Sequence, residues 1–286
     1  MKNVAPLAVI GLAALTAVIV ATSCTPLGGP PLNVMVGAET DTTVLITWST
    51  PAEGTADAYL VYFRGVRDSG YTLLADTIGT SLVHNPHGAT GVYKVSAKFG
   101  NATYDSKDTT TTTVPAHNDT IVLYELNADS SKSGYGWDTL TGAATVYSMA
   151  QAASAAGVDF YPSDLGPGRG RLPYVVISPD QALLKDSGAT NIVPGAGWHK
   201  NGFGNLIGAG DENQPVPAYD SMPPNYFVFS ELSQSPALVP VYTNYDKLED
   251  RRHYALLKFH SVDTLTGRVV VESWFQRVPR LRLIQH

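Results

Sequence analysis

Residues 43–51 have the sequence Thr43-Val-Leu-Ile-Thr-Trp-Ser-Thr-Pro51, in which the apolar residues Val44, Ile46 and Trp48 recur at every second position. The same spacing recurs after a polar turn in Ala58-Tyr-Leu-Val-Tyr-Phe-Arg64. Because successive side chains of a β-strand point to opposite faces, this period predicts two strands that each bury one face. Similar strands follow at intervals of about 8 to 12 residues, so the sequence predicts an all-β protein of the sandwich type.

These two segments are similar to strands B and C of a fibronectin type III domain. A third segment, Gly91-Val-Tyr-Lys-Val-Ser-Ala-Lys-Phe-Gly100, resembles strand F of that family, and the likeness covers residues 32–115. The resemblance implies an immunoglobulin-like β-sandwich with Trp48 between its two sheets. It also places Tyr93 at a tyrosine corner, with its hydroxyl bonded to backbone upstream.

The family resemblance implies an interaction or spacer module and not an enzyme. The cell-adhesion tripeptide of the family is absent here, and the fold alone hosts many unrelated binding roles, so it does not select a partner. The threonine run at 109–113 is predicted to finish strand G, since threonine favours extended backbone. O-glycosylation of the run is the alternative.

The first two dozen residues resemble the export signal of a bacterial lipoprotein. A short start with one lysine precedes an apolar run at 4–21, and Cys24, the one cysteine of the sequence, follows a small residue. We expect residues 1–23 to be a signal peptide, Cys24 to be lipidated after cleavage, and 24–31 to be a tether. Ala21 stands where such signals usually have leucine, so plain cleavage and a transmembrane anchor are the alternatives.

The composition indicates a folded, exported protein. Hydrophobic residues make up 44% of the chain and charged residues 15%, and the formal net charge of −6 is spread along the sequence. Nucleic acid is therefore not an expected partner. The expected location is the cell envelope, with the lipid bilayer as one partner through Cys24 and a protein or glycan at the surface as another. A single cysteine leaves no disulfide, so apolar cores must hold the domains.

Residues 115–119 are rich in turn formers, and a larger β-rich domain is predicted at 120–286 with one short helix at 148–156. We expect that helix to pack through Met149 and through Ala152 or Ala153. Two strands near the end should form an antiparallel hairpin at the centre of this domain, joined by Asp263-Thr-Leu-Thr-Gly267. The strand candidates are 120–126, 144–147, 158–161, 174–177, 226–229, 239–243, 254–260 and 268–276.

The pentapeptide Asp-Thr-Leu-Thr-Gly occurs a second time at residues 138–142. A favoured hairpin turn explains the recurrence, because aspartate at the start and glycine at the end suit a turn closed by a left-handed residue. A repeated ligand loop is the alternative.

Four short islands of the second domain loosely resemble β-rich modules of surface lipoproteins, including haem-scavenging ones. They are 137–142, 158–161, 177–179 and 254–258. Haem capture would need axial ligands, for which His199, His253 and His260 are the candidates.

The stretch 162–224 is rich in glycine and proline, as functional or disordered loops are. Trp198, His199, Phe203 and Tyr219 are the candidate ligand-binding residues within it, since an aromatic face beside polar groups suits a sugar ring or an apolar ligand. The alternative is that Trp198 and Phe203 pack on the sheet and fix the loop. Asp211, Glu212 and Asp220 lack the alternation of a calcium loop, so no metal site is predicted.

Catalytic motifs are absent from the sequence: it has no G-x-S-x-G elbow, no H-E-x-x-H, no phosphate-binding loop and no dinucleotide fingerprint. We therefore expect a membrane-anchored binding or presentation protein with no catalytic residues and no cofactor. Capture of a small ligand, haem or glycan, by the second domain is the first alternative. The second is a glycan-acting hydrolase, because two carboxylates can meet in a cleft without leaving a local signature.

Overall fold

The computed structural model describes residues 28–106, 111–166, 174–182, 186, 197–208, 214–218, 223–229, 238–244 and 252–285. Residues 1–27 lie outside this set, so the predicted signal peptide, Cys24 and most of the tether have no structural account. Within the described ranges, no helix reaches the length and hydropathy of a membrane span.

Strands dominate the described chain, which confirms the predicted all-β fold. The strands are β1 (Leu32–Ala38), β2 (Val44–Ser49), β3 (Ala58–Gly65), β4 (Thr72–Thr77), β5 (Ser81–His84), β6 (Gly91–Phe99), β7 (Ala102–Asp105), β8 (Ala116–Tyr124), β9 (Gly134–Trp137), β10 (Ala144–Tyr147), β11 (Tyr161–Ser163), β12 (Val175–Ile177), β13 (Gly202–Phe203), β14 (Tyr226–Val228), β15 (Val239–Tyr242), β16 (Tyr254–Asp263) and β17 (Arg268–Phe275). Short 3₁₀ turns lie at Ser130–Lys132, Ala152–Gly157 and Pro179–Gln181.

Strands β1 to β7 form a sandwich of two antiparallel sheets, which we call the first sandwich. One sheet has the order β1-β2-β5 and the other β4-β3-β6-β7. The alternating residues Val44, Ile46, Tyr59 and Val61 fill the space between the sheets, and the Trp48 ring contacts that of Tyr59 edge-on at 5.5 Å between centroids. The predicted core position of Trp48 is confirmed.

The Tyr93 hydroxyl does not make the predicted bond to backbone. It lies 2.9 Å from the Nδ1 atom of His84, and the rings of both residues contact Phe63. The side chain of His84, at the end of β5, occupies the place where a backbone acceptor was expected. The sequence did not reveal this pair because β5 and β6 belong to different sheets.

The described part of the threonine run extends along β6, as predicted for a last strand. Tyr93 N donates to Thr111 O and Thr113 N donates to Gly91 O, each at 2.9 Å. Residues 109 and 110 lie outside the described set. Residues 116–119 are not the predicted turn but the first part of β8, where Ala116 pairs with Phe275 and Asn118 with Ser273.

The second unit, β8 to β17, is built on a five-stranded antiparallel sheet with the order β13-β15-β16-β17-β8. The predicted hairpin is confirmed as β16 and β17, at the centre of that sheet. Its turn residues bond within the loop, since Gly267 N donates to Asp263 O at 2.8 Å and Gly267 has φ +74°. Gly142 repeats this with a 2.7 Å bond to Asp138 O and φ +73°, so the shared pentapeptide is a hairpin turn in both places.

Two smaller sheets, β10-β9 and β11-β12-β14, pack on the five-stranded sheet. Strand β10 has the predicted bounds, whereas the candidate at 158–161 becomes a strand only from Tyr161. The sequence missed β9 and β13, which contain the glycines Gly136 and Gly202. A Cβ atom on Gly136 would collide with the Gly157 carbonyl, so close approach explains a glycine inside a strand.

The predicted helix at 148–156 is present as a shorter 3₁₀ helix, and its predicted packing is confirmed only for Met149. The segment forms a 3₁₀ turn at Ala152–Gly157 in which Ser154 and Ala155 are buried, while Ala152 and Ala153 are exposed. Met149 is fully buried as expected, but it precedes the turn. An isolated alanine-rich segment this short does not sustain an α-helix, and the surrounding packing decides its conformation.

Residues 276–285, which we call the C-terminal segment, run from the second unit into the first sandwich. Val278, Leu281 and Leu283 join the core of the first sandwich, whereas Ile284 packs against the second unit. The Gln276 Nε2 atom donates to Thr113 O and Leu283 O, at 2.9 and 2.5 Å. The apolar core of the first sandwich therefore contains residues of the C-terminal segment as well as its own strands.

Candidate functional site

The segment 197–208 contains three of the residues predicted to bind a ligand, and neighbouring strands hold it in place. Its strand β13 pairs with β15, and Phe203 N donates to Pro224 O at 2.7 Å. A Cβ atom on Gly202 would collide with the ring of Pro223, so only glycine fits this close contact. The glycine-rich composition thus reflects tight packing at this point of the segment.

His199 is held by a buried carboxylate. Its Nδ1 atom lies 3.0 Å from Oδ1 of Asp159, and Asn201 Nδ2 lies 3.2 Å from the same oxygen. The other oxygen, Oδ2, accepts the backbone N–H of Trp137 at 2.9 Å. Asp159 is almost wholly buried and is hydrogen-bonded through both oxygens. It therefore orients the half-buried imidazole of His199.

Ser178 connects this segment to strand β14. Its Oγ atom accepts the Asn201 backbone N–H at 2.9 Å and lies 2.5 Å from Oδ1 of Asp180. The Ser178 backbone N–H donates to Asn225 O at 2.9 Å. Residues 199–204 and 223–227 therefore lie side by side, with Ser178 between their ends.

A cleft of about 230 Å³ opens between these two segments. Its lining residues are Phe203, Gly204, Asn205, Pro224, Tyr226, Phe227 and Val228. Phe203 and Phe227 form its buried floor, whereas Tyr226 is 39% exposed. An aromatic ring at the rim and apolar residues beneath it suit a small ligand with one apolar face.

The predicted ligand residues that the structure describes lie in different surroundings and do not form one group. Phe203 is buried in the core of the second unit, with one side on the cleft. Trp198 is half-buried against a neighbouring apolar cluster that includes Met149 and Val158. His199 faces the Asp159 network, and Tyr219 lies outside the described residues. Sequence reasoning missed Asp159 and Tyr226, because neither carries a local motif.

The three histidines considered for haem have separate environments. His253 is buried, with Nδ1 donating to Gln276 O at 2.8 Å and its ring stacked on Phe275, and burial lowers its pKa. His260 lies 2.7 Å from Glu272 on the outer face of the five-stranded sheet, where His117 lies 2.8 Å from the same carboxylate. Among the described residues, no two of the three candidates share a hydrogen-bond network.

A second polar cluster was not predicted: the carboxylates of Glu125, Asp164 and Asp186 are all buried in the second unit. Burial and then the charge of Asp164 raise the pKa of Glu125 to about 7, although the backbone N–H groups of Asn127 and Ala128 oppose the shift. The Oδ2 atom of Asp164, a residue only 2% exposed, has no hydrogen-bond partner among the described residues.

The buried carboxylates do not resemble a cleft in which a glycoside could lie, since each is less than a tenth exposed. Within the described part of the chain, no group of three histidine, cysteine or acidic residues has the arrangement of a metal site. Asp211, Glu212 and Asp220 lie outside that part.

The first sandwich has the strand arrangement of a fibronectin type III-like domain. Strands β1, β2 and β5 correspond to A, B and E in one sheet, and β3, β6 and β7 to C, F and G in the other. The class defined by the fold is therefore an all-β protein with a fibronectin type III-like β-sandwich. The sequence matches no protein-family model and no curated protein.

Three solved structures are similar to parts of the chain. A computationally redesigned β-sandwich protein is 29% identical, with a TM-score of 0.23, over 26% of this chain and 82% of its own. A mutant of FN3tt is 23% identical, with a TM-score of 0.22, over 28% of this chain and 92% of its own. Titin kinase with its flanking domains is 11% identical, with a TM-score of 0.27, over 87% of this chain and 38% of its own. The fold assignment depends on the strand order and not on these matches.

Proposed function

We propose that the protein is a membrane-anchored, extracytoplasmic binding protein without a catalytic role, in which the first sandwich supports a ligand site on the second unit. The cleft between the segments that contain Phe203 and Tyr226 is the observation that carries the binding role. Four of its seven lining residues lie in β13 and β14, and the two segments are joined by the bond from Phe203 N to Pro224 O. A small site with preformed walls loses little entropy when a ligand binds.

The anchor is proposed from the sequence, where the apolar run at 4–21 precedes Cys24. Intact mass spectrometry of membrane-extracted protein tests it with Cys24→Ser as the matched variant. We expect the wild-type chain to begin at Cys24 and to carry acyl chains, and the variant to lack them. A wild-type chain with residues 1–23 still attached, or with no acyl mass, would contradict the lipoprotein proposal.

Glycan capture is the second candidate function, and the cleft favours it over haem capture. The cleft is smaller than the sites of roughly 300–1,000 Å³ that hold drug-sized ligands, and haem needs axial ligands at its iron. An aromatic ring that is 39% exposed at the rim instead favours a sugar, since sugar rings pack on aromatic side chains. A glycan-acting hydrolase is a proposal from the sequence alone, because a pair of catalytic carboxylates leaves no local motif.

Binding is tested by affinity electrophoresis of the full chain through gels containing soluble β-glucan, xylan, mannan or galactan, and by titration with hemin. We expect retardation in at least one polysaccharide and no saturable hemin spectrum. Tyr226→Ala should abolish the retardation, whereas Tyr71→Ala, at an equally exposed tyrosine of the first sandwich, should not change it. Equal effects of both variants would contradict the assignment of the cleft.

A further inference from the structure

Residue 28, at the start of the described chain, lies against the first sandwich. A Cβ atom on Gly28 would stand 2.9 Å from ring atoms of both Phe99 and Tyr104, so the backbone here is packed on these two side chains. Their rings contact each other edge-on at 5.7 Å between centroids, at the β6–β7 hairpin. Part of the expected 24–31 tether therefore belongs to the folded sandwich, and the chain between Cys24 and Gly28 is short.

The strand register places this contact at one end of the first sandwich, which we call the tether end. Tyr59 of β3 pairs with Ala97 of β6 on one side and with Thr77 of β4 on the other. Phe99 lies two residues beyond this level on β6, and Ile78 lies one residue beyond it, in the turn after β4. Ile78 is 86% exposed, so the tether end presents an apolar side chain to its surroundings.

The second unit is attached to the opposite end of the first sandwich. Asp41, in the turn between β1 and β2, accepts a hydrogen bond from Arg282, and Thr90, just before β6, donates to Gln285. Strand β6 runs from that end to the tether end over its nine residues, a length of about 27 Å in an antiparallel sheet. The sandwich therefore stands between the tether end and the second unit.

Lipidation at Cys24 would bring the tether end close to the bilayer. Four residues of chain lead from Cys24 to Gly28, and even fully extended they span no more than about 14 Å. That reach is about half the length of the sandwich. Because Gly28 is fixed at the tether end, an acylated Cys24 holds this end at the lipid surface and leaves the second unit farther away.

We propose that the tether end is the membrane-facing surface of the protein. It rests on the headgroup layer of the bilayer that holds Cys24, Ile78 enters the interface, and the second unit is carried on the far end of the sandwich. The inference rests on the proposed lipid anchor and adds the surface that meets the lipid. The partner of this surface is the bilayer itself.

The acyl chains make one exposed isoleucine sufficient for this contact. They hold Ile78 beside the lipid at a high effective concentration, so its apolar surface leaves water without a further loss of translational freedom. Glu53, Asp57 and Lys98 give the tether end charges of both signs, which suits a neutral lipid surface better than a strongly anionic one. The end is also preformed, since the Asp57 carboxylate accepts the backbone N–H of Gly100 at 2.6 Å.

The full chain, extracted from membranes and reconstituted into phosphatidylcholine vesicles, tests the orientation. In the lipidated protein the thiol of Cys24 is blocked, so a cysteine introduced elsewhere is the one site for a thiol-reactive fluorescent probe. We expect lipids that carry a nitroxide at the headgroup to quench a probe at Ile78→Cys roughly threefold more strongly than one at Leu140→Cys. Leu140 is the matched control, since it is 84% exposed and lies in a turn of the second unit.

A second probe tests the part played by Ile78 itself. Asn101→Cys places the label in the exposed β6–β7 turn of the tether end and leaves Ile78 unchanged. We expect Ile78→Glu to lower the quenching of this probe about twofold, because a carboxylate is costly to remove from water. Leu140→Glu should leave the quenching as it is. Both replaced side chains are more than four-fifths exposed, so circular dichroism should show that both variants fold.

The outcomes separate this inference from the anchor on which it rests. Intact mass of each reconstituted sample shows whether Cys24 is acylated, and a chain without acyl mass overturns the anchor and the inference together. An acylated chain whose probes at Ile78→Cys and Leu140→Cys are quenched equally overturns the orientation and leaves the anchor standing. Quenching at Asn101→Cys that Ile78→Glu does not change overturns the role of Ile78.

A second copy of the chain is the other occupant that the probes distinguish. If it covered the tether end, emission of the probe at Ile78→Cys would shift to the blue only at high protein density and without quenching by the nitroxide lipids. That result overturns the bilayer as the partner of this surface.

Discussion

Glu125 is a buried carboxylate whose charge is opposed by its surroundings. Burial and the Asp164 carboxylate raise its pKa from 4.5 to about 7, and among the described residues no cationic side chain pairs with it. The folded state therefore binds a proton more tightly than the unfolded state does, so the contribution of Glu125 favours folding at low pH. That contribution is lost as the pH rises from 4.5 through 7.

Glu125→Gln removes the charge and keeps an acceptor oxygen for the N–H groups of Asn127 and Ala128. We expect the variant to match the wild-type free energy of unfolding at pH 5. At pH 8 it should be more stable by up to about 3 kcal/mol, since one pKa unit corresponds to about 1.4 kcal/mol. Urea unfolding between these pH values measures the difference, with Glu53→Gln on the surface as control. Parallel pH profiles of wild type and Glu125→Gln would contradict the prediction.

The hydrogen bond between the Tyr93 hydroxyl and Nδ1 of His84 should contribute measurably to the stability of the first sandwich. Burial and then His87 lower the pKa of His84, so its neutral ring can accept a hydrogen bond from the Tyr93 hydroxyl at neutral pH. Tyr93→Phe should destabilise the protein by about 1–2 kcal/mol at pH 7.5, because it leaves a half-buried acceptor unpaired. Tyr62→Phe, on the outer face of the same sheet, should cost less than 0.5 kcal/mol.

The pH dependence of this pair has a defined sign. A lowered pKa means that the folded state resists protonation of His84, so its contribution to stability is complete above the ordinary value of 6.5. It is lost as the pH falls below that value. The stability difference between wild type and Tyr93→Phe should therefore shrink in acid. A difference that grows in acid would show that the tyrosine hydroxyl has another partner.

At the scale of elements, the two Asp-Thr-Leu-Thr-Gly turns show that a five-residue sequence specifies a local structure. Asp263 Oδ1 accepts the backbone N–H groups of Leu265 and Thr266 at 2.9 and 3.2 Å. Asp138 repeats the pattern with Leu140 and Thr141 at 3.1 and 2.7 Å. The turns adjoin opposite ends of β8, because Gly142 contacts Ala116 and Gly267 contacts Glu125. They therefore do not form one ligand site.

The cost of a side chain at the closing glycine separates backbone strain from steric clash. Gly267→Ala places a Cβ atom 2.6 Å from Cβ of Ala128 at φ +74°, whereas Gly100→Ala meets nothing within 4 Å at φ +57°. We expect Gly100→Ala to cost about 1 kcal/mol from the left-handed backbone alone. Gly267→Ala should cost about 2–4 kcal/mol, since a clash adds to the strain. Chemical denaturation measures the loss in free energy of unfolding for each variant. Equal losses would contradict the prediction, because they would mean that the hairpin turn moves enough to relieve the clash with Ala128.

The sequence predicted the strands in which apolar residues alternate. It did not predict strands that depend on close backbone packing, or contacts between residues far apart in the chain. Alternation located β2, β3 and β17, because one face of each is buried, whereas β16 was found from its apolar run and is buried on both faces over residues 254–257. It missed β9, where Gly134 and Gly136 replace apolar residues so that the backbone can approach its neighbours closely. In the candidate site it found His199 from its local setting. It did not find Asp159, which lies 40 residues away and meets His199 only through the fold.

At the scale of the whole molecule, the C-terminal segment joins the first sandwich to the second unit. Arg282 Nε donates to Asp41 Oδ2 at 2.7 Å, and Thr90 N donates to Gln285 Oε1 at 3.2 Å. The polar contacts lie beside the apolar ones, since Leu281 and Leu283 are fully buried in the core of the first sandwich. The sandwich that resembles an independent domain therefore depends on residues almost 200 positions away, as the 195-residue separation of Thr90 and Gln285 shows.

Leu283→Ala tests whether the two units unfold together. Removing a fully buried leucine side chain costs about 2–5 kcal/mol, and the cavity would lie in the first sandwich although the mutation lies in the segment that leaves β17. We expect hydrogen exchange to accelerate in β2 and β6, and a single denaturation midpoint to fall for both units. Leu265→Ala, at an 81% exposed leucine of the β16–β17 turn, should leave both unchanged. If exchange accelerates only within residues 276–285, the segment is a surface attachment, and the orientation of the ligand site relative to the membrane is not fixed by it.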